Sequence, residues 1–209
     1  MSIISREAYL NNPCKAASLP YWKAKAVAVP ENMLVMHEDV FSVAFLQEYS
    51  DERYFKLLHD LKTVTTPSLP MGYALSRVTS AELAAHISSC YEGSNINEEE
   101  VLRWQQRKTY REDLWVAVCD ESNGQIVASS VAELDAEIDE GVLEWIQVSE
   151  KHRQRGLGKY VVTTLLRRMQ GKARFVTVSG KCDDPCQPEN MYRACGFMGN
   201  DVWHVLHKI

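Results

Sequence analysis

Apolar and polar positions change period along the chain, and each change marks an element. In TSAELAAHISSCY, Leu83, Ile87, Cys90 and Tyr91 recur at helical spacing, and Thr79 and Glu82 stand ahead of them at capping-box spacing. A second helix is predicted from about Glu98, with Asn97 and Glu100 spaced the same way; its acids come first and Arg103, Arg107 and Lys108 later, as the helix dipole favours. YALSRVT, LWVAVCD, IVASSVAEL and VLEWIQV read as strands. The Asn-Gly pair of ESNGQ makes a hairpin turn, and the acidic DAEIDEG is expected to be a solvated loop.

After VLEWIQV the pattern turns helical again through Met169, with Val161, Val162, Leu165, Leu166 and Met169 on the buried face. ARFVTVSG is the next strand, PENMYRAC a short helix ended by Gly196, and VWHVLHKI a last strand. The order predicts a mixed α/β fold: antiparallel strands, then a strand–helix–strand crossover. Two prolines and a glycine in TVTTPSLPMGY interrupt any regular element. We therefore divide the chain into an extension over residues 1–68, packed on a main domain over 69–209. Within the extension, SDERYFKLLHDL is predicted as a helix opened by Asp51 and Glu52, with Phe55, Leu58 and Leu61 as its inward stripe.

Composition narrows the classes. With 209 residues, 45% hydrophobic and 24% charged, the chain suits a soluble globular protein. A net charge of −5 argues against general nucleic-acid binding. No apolar run approaches the roughly 20 residues that span a bilayer, and residues 1–15 lack the basic start and apolar core of a secretory leader. A cytoplasmic protein with six reduced cysteines is expected. Cys182, Cys186 and Cys195, with His204 and His207, raise a zinc reading, but no second compact ligand pair follows, so no metal is expected.

Against that acidic background, HRQRGLGKYVV (152–162) concentrates Arg153, Arg155 and Lys159 around Gly156 and Gly158, between a strand and a helix. The first turn of a helix presents N–H groups without intrahelical partners, and glycines let an anion approach them. The alternative is a solvated basic face. A Walker A loop would need Ser or Thr after Lys159, where Tyr160 stands; a dinucleotide fingerprint would need a glycine at Val161.

Arg-x-x-Gly-x-Gly at 153–158, the strand before it, the helix after it, and MYRACGF at 191–197 with Tyr192, Gly196 and Phe197 in register, together resemble the GNAT N-acetyltransferase superfamily over roughly residues 73–209. The resemblance implies a mixed sheet splayed at a coenzyme A site, with flanking helices, and acetyl transfer from acetyl-CoA to the primary amine of a small molecule or peptide. It implies that Ile146 and Val148 offer main-chain groups to the pantetheine arm. Arg153, Gln154, Arg155, Gly156, Leu157, Gly158 and Lys159 would hold the pyrophosphate, and the Tyr192 hydroxyl would serve the departing sulfur as acid. A phenol of ordinary pKa, about 10, is a competent donor at neutral pH. Pro185 and Pro188 stand where many members carry Asn and Ala, so the start of the last helix is rebuilt.

Glu144 is the candidate base for the acceptor amine; strand alternation groups it with Val142, Ile146 and Val148, and Leu143 with Trp145. Its plainer role is pairing with an arginine or sitting at an exposed strand end, and the plainer role of Tyr192 is packing. A non-catalytic acyl-CoA-binding module is the alternative reading. A monomer or homodimer is expected.

Overall fold

The computed structural model describes residues 4–66, 68–91 and 93–209. Three short helices, α1 (Arg6–Asn11), α2 (Pro13–Ala16) and α3 (Tyr21–Ala24), precede strands β1 (Met33–His37) and β2 (Tyr49–His59). There follow β3 (Tyr73–Ser76), α4 (Ser80–Cys90), α5 (Glu98–Gln105), β4 (Trp115–Asp120), β5 (Ile126–Asp135) and β6 (Glu140–Val148). The chain ends with α6 (Leu157–Met169), β7 (Phe175–Lys181), α7 (Pro188–Ala194) and β8 (Met198–Lys208). This is a mixed α/β fold. It divides into two compact units, Met1–Asp60 with Phe175–Ile209, and Leu61–Arg174.

In the second unit β3, β4, β5 and β6 pair antiparallel in chain order. The α4 start forms as its sequence requires: the Thr79 hydroxyl accepts from the Glu82 amide, and the Glu82 carboxylate accepts from the Thr79 amide, closing the capping box. Asn97 caps α5 through the Glu100 amide at 3.0 Å. Leu83 and Ile87 of α4 pack with Val101 and Trp104 of α5 and Val131 of β5. On α6 all five predicted apolar positions are fully buried. The acidic turn departs from expectation: it is not solvated throughout, because Ile138 and Glu140 are completely buried and Asp135 nearly so.

In the first unit the strand order is β1–β8–β2–β7, every pair antiparallel. The helix predicted over 50–61 is therefore wrong; β2 is a strand bonded on both sides. Phe55 and Leu58 fit a helical stripe, but Phe55, Leu57 and His59 fit a period of two equally well, and short apolar runs do not distinguish the two. Neighbours decide it. Phe55 lies across Gly180 of β7, where a Cβ would stand 2.6 Å from the ring.

Lys56 faces the opposite side and is 1% exposed. Its ammonium donates to the carbonyls of Pro13 (3.0 Å), Ala17 (2.8 Å) and Leu19 (2.9 Å) and to the Tyr9 hydroxyl (3.2 Å). Helices as short as α1, α2 and α3 do not persist alone in water. One buried charge gathers them by satisfying carbonyls they leave open, and the Trp203 indole adds a bond to the Cys14 carbonyl at 2.8 Å. Replacing Lys56 by Met keeps the stem and removes the donors. Each buried carbonyl left unpaired costs about 1–3 kcal/mol, so Lys56→Met should lose roughly 3 kcal/mol, read as a lower urea midpoint. An unchanged midpoint would refute this anchoring role.

Candidate active site

After β6 a 3-10 turn over Glu150–His152 leads to the glycine loop. Gln154 (φ 60°) and Gly156 (φ 85°) both adopt the left-handed region, curling the backbone ahead of α6. Gly156 is the N-cap of α6, and no side chain caps that helix. Its first-turn amides and the positive end of its dipole are offered to an anion. Lys159 is exposed, with no ion pair among the described residues. Arg155 Nη1 donates to the Tyr73 hydroxyl at 3.0 Å, and that hydroxyl lies 3.0 Å from His152 Nδ1. Arg153 folds back, its Nε donating to the Val148 carbonyl at 3.2 Å.

The end of β6 presents a row of main-chain groups. Ser149 N donates to Val127 O at 2.8 Å. Ser129 and Gln147, two residues along each strand, are therefore of the mutually bonded type, and the main-chain groups of Ile146 and Val148 point away from β5. The Ile146 carbonyl accepts from the Tyr91 hydroxyl at 2.9 Å. Pairing steps from Val131–Trp145 to Ala132–Leu143, which makes Glu144 the extra residue of a β-bulge. Paired residues share a face, so Trp145 lies with Val131 and Leu143 with Ala132, on opposite sides. Strict alternation had grouped Leu143 with Trp145, and Val142 with Ile146. Both groupings fail at the bulge. Glu144 is half-buried.

Helix α7 starts with Pro188 at its first position after Gln187 in a left-handed conformation (φ 47°). Asp184 organises the turn before it, accepting from the Cys186 amide at 2.7 Å. The far end explains the Tyr-x-x-x-Gly-Phe spacing. Phe197 N donates to Tyr192 O (3.1 Å) and Gly196 N to Arg193 O (3.0 Å), a Schellman motif with Gly196 at φ 96°. The Tyr192 and Phe197 rings, 5.7 Å apart, supply its apolar contact, and Phe55 packs on Tyr192 at 6.1 Å. Tyr192 is 6% exposed.

A model of the Acetyltransferase (GNAT) family matches residues 81–197, more than half of the chain. The chain belongs to this family. Among solved structures it is similar to a GCN5-related N-acetyltransferase from Sphaerobacter thermophilus, with TM-score 0.66 and 18% identity over 86% of this chain and 61% of that one. A putative GNAT acetyltransferase from Novosphingobium aromaticivorans aligns with TM-score 0.56 and 13% identity, over 88% of this chain and 70% of that one. A GCN5-related N-acetyltransferase from Kribbella flavida gives 0.57 and 17%, over 84% and 67%. These likenesses establish the fold. The chain spans less than two thirds of the Sphaerobacter protein's length. No curated protein matched.

Within this GNAT chain the glycine loop and the end of β6 lie in one unit and Tyr192 in the other. All six cysteines are free thiols, and no helix of the described residues is long and apolar enough to cross a membrane. Sequence reasoning missed Tyr73, and it placed Tyr91 on the inward face of a helix without its bond to β6; the two hydroxyls meet Arg155 and Ile146, and residues so far away in sequence carry no local signal of such bonds.

It also missed His86. This buried histidine contacts Ser129 Oγ through Nδ1 (2.8 Å) and Ser149 Oγ through Nε2 (3.0 Å). The Gln147 amide also donates to Ser129 Oγ. Burial lowers the His86 pKa to about 4. The unfolded chain takes up this proton near pH 6.5 and the folded chain only near 4, so stability from this group is present above 6.5 and lost as pH falls towards 4. The loss should reach roughly 3 kcal/mol, and His86→Gln should flatten that limb of a urea-midpoint profile against pH. An identical profile for the variant would count against it. Gly196→Ala combines a left-handed conformation with a Cβ 2.9 Å from His59 Nε2, and should cost about 2 kcal/mol or more in the same assay.

Proposed function

We propose that the chain is an acetyl-CoA-dependent N-acetyltransferase acting on the primary amine of a small molecule or peptide by direct attack in a ternary complex. The observation that carries this reading is the α6 start: amides with no capping side chain, a backbone curled by Gln154 and Gly156, and the cations Arg155 and Lys159 beside it. That chemistry suits a pyrophosphate. Arg153, Gln154, Arg155, Gly156, Leu157, Gly158 and Lys159 hold it, and the outward main-chain groups of Ile146 and Val148 hold the pantetheine amides. Both carbonyls already carry a donor, Tyr91 on one and Arg153 on the other. A carbonyl has two lone pairs, so the Tyr91 bond can persist, while Arg153 is free to turn to phosphate.

Acetyl-CoA, when bound, supplies an acyl group activated as a thioester. In this reading Glu144 takes the proton from the acceptor ammonium, because only the neutral amine has a lone pair to attack with. The Tyr192 hydroxyl gives a proton to the leaving sulfur. The rebuilt start of α7, with Pro188 in its first turn, favours a second reading: a module that binds acyl-CoA without transferring the acyl group.

Calorimetry with acetyl-CoA and a free-thiol assay against polyamines, aminoglycosides, amino acids and peptides separate the two. Binding with amine-dependent thiol release supports the transferase; binding without release supports the module; no binding by folded protein sinks both. Tyr192→Phe should lower kcat by about 100-fold with little change in acetyl-CoA affinity, and Glu144→Gln should lower kcat/KM by about 100-fold with acetyl-CoA affinity kept. Unchanged turnover in either variant would remove that residue from the chemistry.

A further inference from the structure

Strand β1 is an outermost strand: β8 pairs with one side of it, and among the described residues no strand pairs with the other. The ladder decides which main-chain groups face outward. The Lys208 amide donates to the Asn32 carbonyl at 2.9 Å, so Leu34 and Met36, at steps of two, are the residues bonded to β8. Met33, Val35 and His37 therefore turn their main-chain groups to the open edge. The Met33 amide already donates to the Pro30 carbonyl at 3.0 Å. The His37 carbonyl heads the 3-10 turn Glu38–Val40 and accepts its first bond. What stays open is the Met33 carbonyl, both groups of Val35 and the His37 amide.

Proteins ordinarily blunt such an edge with a charge, a proline or a bulge. Met33–His37 contains no lysine, acid or proline, and its register with β8 runs unbroken. An apolar ridge stands beside it. After His37 the chain crosses the sheet face that carries Met36 and His204, with Phe41 stacked on His204 at 3.7 Å. Val40, Val43 and Leu46, spaced three apart as 3-10 turns repeat, stand out from this strap at 68%, 75% and 46% exposure.

We propose that a second copy of this chain covers the edge and the ridge, the two β1 strands pairing antiparallel about a two-fold axis at Val35. Val35 and the partner's Val35 exchange both bonds, and each His37 amide donates to the Met33 carbonyl across the axis. These four bonds use every open group and neither of the two already engaged. A register shifted by two residues either way keeps only half of them. Leu34 then stands against the partner's Met36, apolar on apolar. Beyond the strand Glu31 comes opposite the partner's Asp39, whose charge Lys15 balances. Five residues make an edge about 17 Å long, and sheet and strap are two layers of about 10 Å, so each copy offers roughly 350 Å² of contact. Standard interfaces bury about 800 Å² per partner, which makes this a weak dimer with Kd on the order of 10 µM. The pairing is independent of the acetyl-transfer reading.

Sedimentation equilibrium of the full chain, from about 1 to about 300 µM, should show the mass rising from monomer towards dimer. Val35→Pro removes an amide that bonds to nothing within the chain, at an edge where proline is tolerated, and should weaken association at least about tenfold with the urea midpoint kept. Val43→Asp, at an exposed position, should also weaken it by about tenfold, and decides the matter if Val35→Pro does not fold. Leu75→Lys, on β3 of the other unit, should leave association unchanged. A chain that stays monomeric at the highest concentration overturns the dimer. Undiminished association in folded Val35→Pro or in Val43→Asp, or its loss in Leu75→Lys, overturns the placement on β1.

Discussion

The amides in the first turn of α6 must be accepted by something, and no side chain of the preceding loop does so. The surroundings compound the demand. Gln154 holds a left-handed conformation that costs a non-glycine residue about 1 kcal/mol or more. Arg155 donates to the hydroxyl of Tyr73, with the Asp120 carboxylate in its field. Unpaired amides, a helix dipole and like charges set close together are each unfavourable alone, and a single bound anion relieves all of them. The end of β6 is under a milder form of the same demand, met for now by Tyr91 and Arg153.

Lys56 shows the opposite solution to a buried polar demand. Its charge is met wholly by the chain, with backbone carbonyls and a phenol supplying the oxygens that water would have given. The two sites share an ingredient, main-chain polar groups at the ends of helices. They differ in sign and in completeness. Where carbonyls converge on a resident cation the result is architecture, and where amides diverge from a bare glycine cap the result is an invitation to a ligand.

What was legible in the sequence was whatever a short window determines. The Thr79–Glu82 box, the buried stripe of α6 and the glycine loop all follow from spacings within a few residues, and all form. The second strand was misread because Phe55, Leu58 and Leu61 satisfy a helical period, while the partners that make it a strand lie more than a hundred residues away in β7 and β8. Glu144 was placed by counting, and counting fails at a bulge that depends on the register with β5. The hydroxyls of Tyr73 and Tyr91 and the ring of His86 were invisible because their partners lie 79, 55 and 43 residues away, respectively.

The Tyr192–Gly196–Phe197 spacing has a meaning that its link to acetyl transfer conceals. Gly196 ends α7 in the left-handed region, Phe197 reaches back to the Tyr192 carbonyl, and their rings close the cap. Those requirements come from stopping a helix and would operate with no cofactor present. Selection on folding alone would preserve this string in a descendant that had abandoned its reaction, so the string traces ancestry more faithfully than it traces turnover.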